Sequence, residues 1–297
     1  MKVLVALAAV SATTVTPVKV GIQPCAEIGA FGSVWVANYG SATLSRVDPS
    51  TNRVTGTVKV GAGPCGLAAG AGSIWVDGYG TDTVERVNPH TLKRTRAIPA
   101  GPAVWDVAFD GRYVWADDNT NGTVVKIDPR RNVVVRRFHI GGNPTGLAIA
   151  AGSLWVGSNG LLDRTFFRIS IATGRITRIS PGCTRPAYFA VAKAGAVWVT
   201  CVGDTISNGL ALRFDPRTNR VVARVRVGVN PGDGAIDTHG RIWIPNKADG
   251  TVSRIDPATN RVVETVKVGG APFVTNEAFG DVWAPDNTGT TVARLHR

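Results

Sequence analysis

Seven of the eight tryptophans recur at nearly constant spacing, and this repeat constrains the possible folds more than any other feature of the chain. They are Trp35, Trp75, Trp115, Trp155, Trp198, Trp243 and Trp283, separated by 40, 40, 40, 43, 45 and 40 residues. A repeat of this length is typical of architectures built from like modules, each too small to bury its own apolar surface. The modules must therefore pack against one another.

Each repeat contains four short segments that alternate in polarity and are rich in Val, Ile and Thr, a pattern that indicates β-strands. Asx-Pro turns separate the third segment from the fourth, as at Asp48-Pro49, Asn88-Pro89, Asp128-Pro129, Asp215-Pro216 and Asp256-Pro257. No stretch has helical periodicity. Four strands repeated seven times predict an all-β fold, a seven-bladed β-propeller of four-stranded antiparallel blades, as one domain over residues 14–297.

The two ends of the chain predict how the ring closes. The last repeat ends after its third strand, residues 291–294, whereas residues 16–21 match the fourth strand of other repeats, such as 58–61 and 266–269. We therefore expect the N-terminal strand to complete the seventh blade, which removes the exposed sheet edges.

Residues 1–12 (MKVLVALAAVSA) have one Lys, an apolar run and a small-residue cleavage pattern, as in a short secretion signal. The alternative is an apolar N-terminal arm. The signal interpretation predicts a monomeric protein that is secreted, periplasmic or at the bacterial cell surface. No apolar run reaches the ~18 residues that a membrane-spanning helix needs, which excludes an integral membrane protein of that type.

The repeat pattern V-W-V…T-V-x-R-V-D-P-x-T-N-R-V-V-x-x-V-x-V-G-x-x-P-x-G resembles the YVTN-type and virginiamycin B lyase-like propeller families over residues 14–297. The resemblance implies the propeller fold and an exported protein. Some members of these families are lyases that open a cyclic ester antibiotic with Mg²⁺, and some bind nucleic acid. Fold and function are separable in such families.

The resemblance also says where lyase chemistry would lie, at the central residue of P-x-G, where the lyases carry catalytic His. The equivalent positions here are Cys25, Cys65, Trp105, Thr145, Tyr188, Asp233 and Phe273, and none is His. The four His, His90, His139, His239 and His296, lie elsewhere in the repeats. We therefore favour a binding module over an enzyme, with a metal-assisted lyase or hydrolase as the alternative.

Length variation predicts where a ligand would bind. The distance from Trp to the basic residue of the third strand is 11 residues in five repeats, but 13 in the fourth and 15 in the fifth. All insertions fall on the face that carries the blade-to-blade loops and the loops between second and third strands, here called the top face. We expect a small-molecule, peptide or polymer ligand there, over blades four to six. Its predicted contacts are Trp105, Tyr188, Asp233, Phe273, Asp163, Arg164, Asp204 and Lys247.

For Trp105, a ligand platform and a plug of the channel mouth are equally compatible with the pattern.

We expect no cofactor. The loop acids Asp77, Asp117 and Asp118 leave a Ca²⁺ or Mg²⁺ site as the alternative.

The four Cys form two candidate disulfide pairs. Cys183 and Cys201 both lie in lengthened top-face loops, so we expect a disulfide between them. A bridge between Cys25 and Cys65 ranks lower, because their Cα separation in neighbouring blades risks exceeding the ~7 Å limit.

The net charge of +12 allows a third function. Most Lys and Arg occupy recurring strand and turn positions, which predicts a basic rim. A solvated rim that prevents edge-to-edge association is one interpretation, and a track for an anionic polymer such as nucleic acid is the other.

Overall fold

The computed structural model describes residues 12–191, 197–203 and 208–297, and these form seven four-stranded antiparallel sheets arranged as a β-propeller. The first strand, β1 (Thr14–Lys19), precedes blade 1. Blades 1 to 3 comprise β2 (Pro24–Ala30), β3 (Ser33–Asn38), β4 (Thr43–Asp48) and β5 (Arg53–Lys59); β6 (Leu67–Gly70), β7 (Ser73–Gly78), β8 (Thr83–Asn88) and β9 (Lys93–Pro99); β10 (Val107–Phe109), β11 (Val114–Asp118), β12 (Thr123–Asp128) and β13 (Val133–His139).

Blades 4 to 7 follow the same order from the inner to the outer strand. They comprise β14 (Pro144–Ala150), β15 (Ser153–Ser158), β16 (Phe166–Ser170) and β17 (Ile176–Ile179); β18 (Pro186–Val191), β19 (Val197–Cys201), β20 (Asn208–Asp215) and β21 (Arg220–Val229); β22 (Ala235–Ile236), β23 (Ile242–Asn246), β24 (Thr251–Asp256) and β25 (Arg261–Lys267); β26 (Asn276–Ala278), β27 (Asp281–Pro285) and β28 (Thr291–His296) with β1 outermost. The predicted seven-bladed propeller is confirmed.

The predicted closure of the ring is confirmed as well. Strand β1 pairs antiparallel with β28 over six residues, and Val18 lies opposite Val292. Val18 is 1% exposed and packs in one cluster with Val34 and Trp283. The two ends of the chain therefore share one blade, and the apolar contact between blades 7 and 1 depends on the N-terminal strand.

The recurring tryptophans form the contacts between blades, and all seven are at most 3% exposed. The indole N–H groups of six of them donate within the blade, either to a backbone carbonyl five residues earlier, as from Trp35 to Ala30, or to a carboxylate, as from Trp115 to Asp110. A buried indole that keeps its hydrogen bond contributes its large apolar area without leaving an unsatisfied donor.

The recurring Arg of the third strand connects neighbouring blades. In blade 4, the Arg168 guanidinium lies 5.0 Å from the Trp155 ring centroid and donates to the Pro216 carbonyl and to Asn219 Oδ1 of blade 5. Equivalent bonds run from Arg86, Arg213 and Arg294 to the next blade. These cations are engaged in structural contacts, so the recurring position adds little to a basic track for a polymer.

The described residues contain strands, turns and loops, and no helix among them could span a membrane. Residues 1–11 of the predicted signal segment lie outside the described part of the chain.

Candidate functional site

Three aromatic side chains at the central positions of the P-x-G motifs, Trp105, Tyr188 and Phe273, pack together at the top of the central channel. The ring centroids of Trp105 and Phe273 are 6.0 Å apart and those of Tyr188 and Phe273 are 5.1 Å apart, both edge to face. Tyr188 is 3% and Phe273 8% exposed, while Trp105 is partly exposed. We call these three residues the aromatic plug. Edge-to-face packing favours this arrangement beyond the area it buries, and it closes the channel on the top face.

A disulfide between Cys25 and Cys65 extends the plug across blades 1 and 2, with their Cα atoms 5.0 Å apart. From the sequence this bridge ranked lower, because a Cα separation above ~7 Å would prevent it, but the observed separation is well within that limit. A second disulfide joins Cys183 and Cys201 in blade 5, with a Cα separation of 6.1 Å. Both cross-links lie in the part of the chain that surrounds the channel mouth.

A cavity of about 420 Å³ lies beneath the plug and is lined by the inner strands of all seven blades. Trp105, Phe273 and Asp233 border it at the closed end. Its walls continue to Ala69 and Phe109, partly exposed residues beside the turns of the opposite face. The channel is therefore closed at the top and accessible from below.

Carboxyl groups are the only ionisable side chains among the described residues that line this channel. They are Glu27, Asp106, Asp233 and Glu277. The location is unexpected in a chain with 33 Lys and Arg against 21 Asp and Glu. The basic residues lie on the outside, and the axis of the ring is acidic.

Three of these acids bond the backbone of an adjacent blade. Asp106 Oδ2 accepts from the Leu147 N–H at 2.6 Å, and Asp233 Oδ1 accepts from the Phe189 N–H at 2.8 Å. Glu27 Oε1 accepts from the Asn276 N–H at 2.7 Å. Each bond crosses between blades, so these acids contribute to the geometry of the ring as well as to its charge.

Burial raises the pKa of these carboxyl groups. For Asp106 desolvation raises the pKa to about 7, against the lowering effect of its backbone hydrogen bonds. Desolvation also raises the pKa of Asp233, and the nearby charge of Asp106 adds to the rise. The pKa of Glu27 is raised by burial too. The channel thus contains carboxyl groups that exchange protons closer to neutral pH than exposed ones do.

Two of the loop acids considered as metal ligands instead hold the inner strands in place. Asp117 Oδ1 accepts from the N–H groups of Trp105 and Asp106, at 2.7 and 3.0 Å, and Asp77 Oδ1 accepts from the Cys65 N–H at 2.6 Å. Both are fully buried. Over the described ranges, no group of three or more His, Cys, Asp or Glu side chains is arranged to hold a metal ion.

The lengthened loop of blade 4 is organised by Asp163. Its Oδ2 accepts from Ser158 Oγ and from the N–H groups of Asn143 and Gly160. Neighbouring Arg164 is exposed. Beside it, Leu161 and Leu162 are 77% and 90% exposed.

The remaining predicted contacts are divided between the plug and the blade 5 loop. Lys247 Nζ lies 4.8 Å from the Phe273 ring centroid and donates to Asn287 Oδ1, and burial lowers the pKa of this amine. Tyr188 Oη accepts from Asn159 Nδ2, and Arg185 donates to Asn159 Oδ1. Asp204 lies outside the described residues.

Sequence reasoning missed three of the four channel acids, Glu27, Asp106 and Glu277, although the repeat contained a signal for the first two. Asp106 stands where Gly66, Gly146 and Gly234 stand in other repeats. Glu27 stands where Leu67, Val107 and Leu147 stand. An acid at a position that is otherwise glycine or apolar is a departure that alignment of the repeats with one another reveals.

We expect the Asp106→Asn variant to change the pH dependence of stability. In the wild type, the folded state keeps the Asp106 proton up to about pH 7, whereas the unfolded chain releases it near pH 4. Raising the pH from 4 to 8 therefore costs the folded wild type stability. The full shift corresponds to about 4 kcal/mol, and channel water reduces it, so we expect the variant to gain about 2 kcal/mol over the wild type across this range.

Denaturant unfolding at pH 4 and pH 8 measures this difference. Glu27, whose pKa burial also raises, titrates in both proteins and cancels in the comparison. The charge of Asp106 contributes to the raised pKa values of Asp77, Asp117 and Asp233, so its removal lowers these values and adds to the gain of the variant at pH 8. Parallel stability curves for the two proteins would contradict the assignment.

Solved structures with the same fold span proteins of different roles. The chain superimposes on Kuenenia stuttgartiensis hydrazine synthase with a TM-score of 0.79 at 16% identity, covering 94% of this chain and 97% of that one. Virginiamycin B lyase from Staphylococcus aureus gives a TM-score of 0.80 at 13% identity over 96% and 100% of the two chains. A streptogramin B lyase gives 0.79 at 15% identity over 96% and 97%.

Comparisons of the sequence with protein families match a smaller part of the chain than the structural comparisons do. Residues 71–165 match a family described as "Repeat of unknown function (DUF6923)". Curated protein sequences give no match. At these identities the structural similarity establishes the fold alone. The chain is a seven-bladed β-propeller whose fold is shared with the virginiamycin B lyases and which carries a DUF6923 repeat in its second to fourth blades.

Proposed function

We propose that this protein is a binding module whose small ligand occupies the central channel beneath the aromatic plug. The observation that carries the proposal is the cavity of about 420 Å³ with acidic walls and an aromatic closed end. Ligand sites are typically concave, largely apolar and about 300–1,000 Å³ in volume, with a few polar groups that orient the ligand. Three of the ligand contacts predicted from the sequence, Trp105, Asp233 and Phe273, line this cavity.

The top face over blades four to six is the second candidate position for the ligand. The exposure of Leu161 and Leu162 in the lengthened loop favours it, since large apolar side chains exposed side by side often mark a contact surface. Arg164 in the same loop would supply a charge there. The two positions lie on opposite sides of the plug and are separable by mutation.

A fragment screen by saturation-transfer NMR tests the proposal, with a fixed mixture of neutral, cationic and anionic compounds. Leu147→Trp places a large ring on the channel wall, and the Leu161→Ser/Leu162→Ser variant alters the loop alone. We expect fragments to bind the wild type and the loop variant, and binding to fall at least tenfold in Leu147→Trp.

Circular dichroism and thermal unfolding check that the variants fold, and Ala69→Trp, lower on the same wall, replaces Leu147→Trp if that variant does not. Loss of binding in the loop variant alone would move the site to the top face. A wild type that binds none of the fragments would overturn the proposed function.

A further inference from the structure

The distribution of charge around the channel restricts which ligands it can take. A net charge of +12 makes the exterior attractive to anions. Inside, the described lining carries four carboxyl groups and no Lys, Arg or His. An anion in the channel would meet carboxyl groups and no cation to pair with, whereas a cation would find several oxygen partners and would favour the ionised form of these carboxyl groups.

Asp106 accepts one backbone N–H at each of its two oxygens, from Val107 and from Leu147, but two other carboxyl groups have an oxygen without a donor among the described residues. Asp233 Oδ1 is bonded to Phe189 N–H, but no donor within the described residues reaches Oδ2. Glu27 is 1% exposed, and its Oε2 is a buried oxygen without a hydrogen-bond partner in the described part of the chain. An unsatisfied buried acceptor is costly. Asp233 Oδ2 is therefore available to a donor from outside the protein, in a channel wall that also contains the unsatisfied Glu27.

Asp106 and Asp233 also interact electrostatically, because the charge of one raises the pKa of the other. Two carboxyl groups that repel each other are stabilised by a cation placed near both. A bare divalent metal ion needs more ligands than this pair offers, and no three-residue ligand group occurs among the described residues. An ammonium group needs only hydrogen-bond acceptors and a favourable field.

The closed end of the channel suits the same kind of ligand. Trp105 and Phe273 border it, and aromatic faces attract ammonium groups while their edges contact apolar carbon. The walls add apolar side chains such as Leu67, Leu147 and Ile236. A ligand with a positive group and an apolar body would satisfy both parts of the lining.

From these observations we propose that the channel binds a small organic amine, with its ammonium group at Asp106 and Asp233 and its apolar part along the channel wall. This inference rests on the proposed function and specifies its ligand class. Bringing a cation to Asp106 lowers the pKa of that carboxyl, so binding near neutral pH releases protons and strengthens as the pH rises from 6 to 8.

The other charged and titratable groups around this pair leave that direction unchanged. The pKa values of Asp77 and Asp117 are raised by burial and by the charge of Asp106, so a cation near Asp106 favours ionisation of these groups as well. The phenol of Tyr188 is neutral in this range because burial raises its pKa. Arg185 and Lys247 are absent from the channel lining.

Isothermal titration with three probes of one shape tests the ligand class: phenethylamine, 2-phenylethanol and 3-phenylpropionate. We expect the amine to bind at least tenfold more tightly than the alcohol, and the acid to bind most weakly. Asp106→Asn/Asp233→Asn should reduce the difference between amine and alcohol to less than twofold. The Asp215→Asn variant, altered at an outer turn of blade 5 and absent from the channel lining, should keep the full preference.

The possible failures are distinct. If the alcohol or the acid binds as well as the amine, and Leu147→Trp abolishes that binding, the channel is the site and the inferred ligand class is wrong. If the amine binds equally well to Leu147→Trp, the proposed channel function itself is wrong. If the amine gives no heat while neutral fragments bind in the channel, the inference is again overturned.

Discussion

Replacing Val18 with Asp should lower the free energy of unfolding by about 4 kcal/mol, since it removes a buried apolar side chain and introduces a carboxylate without a partner. Val18 is 1% exposed in the outermost strand of blade 7, where it packs with Val34 of blade 1 and Trp283. The substitution acts where the two ends of the chain meet. It therefore weakens closure of the whole ring.

Guanidinium unfolding followed by tryptophan fluorescence measures the loss. The control is Thr16→Asp, two residues earlier in the same strand and exposed to solvent, which should cost less than about 0.5 kcal/mol. An equal loss in both variants would show that charge in this strand, rather than burial at the closure, is responsible.

Asp117→Ala should have a comparable effect, a loss of about 3–4 kcal/mol. The carboxylate accepts the N–H groups of Trp105 and Asp106, and its removal leaves two donors unsatisfied next to the plug. Each orphaned buried donor costs about 1–3 kcal/mol. Because Asp117 is fully buried, water cannot replace the lost acceptor without a cavity forming first.

Asp117→Asn separates the hydrogen bonds from the charge. Its amide oxygen keeps an acceptor at the same place, and it removes the ionisation that burial already disfavours by raising the pKa of Asp117. We expect a loss below about 1.5 kcal/mol in denaturant unfolding at pH 7. If Asn were as destabilising as Ala, a charge interaction rather than the two backbone hydrogen bonds would hold the inner strand in place.

The fold could be predicted from the sequence because the same pattern of strands and turns occurs seven times. Seven tryptophans at similar spacing, and a fourth-strand pattern at residues 16–21, identify equivalent positions without any knowledge of distances. The predicted pairing of the N-terminal strand with the last repeat depends only on strand counting and on the avoidance of open edges. Both features are consequences of local patterns.

The candidate site could be predicted from the sequence only in part, because it depends on how closely the inner strands approach the axis of the propeller. The sequence placed Trp105, Tyr188 and Phe273 at equivalent positions, but left open whether Trp105 is a ligand platform or a plug of the channel mouth. In the structure, edge-to-face contacts of 5.1 and 6.0 Å join them across the channel. The same convergence brings Cys25 and Cys65 to a Cα separation of 5.0 Å.

The sequence alone therefore determined the number of blades, their strand order and the closing strand, since hydrophobic alternation and turn residues act over a few neighbouring positions. Only the tertiary structure decided that the channel is blocked above, that Glu27 and Asp106 face it, and that the recurring Arg residues bond the next blade. Those properties arise from groups more than 20 residues apart, whose separation is set by the radius of the ring.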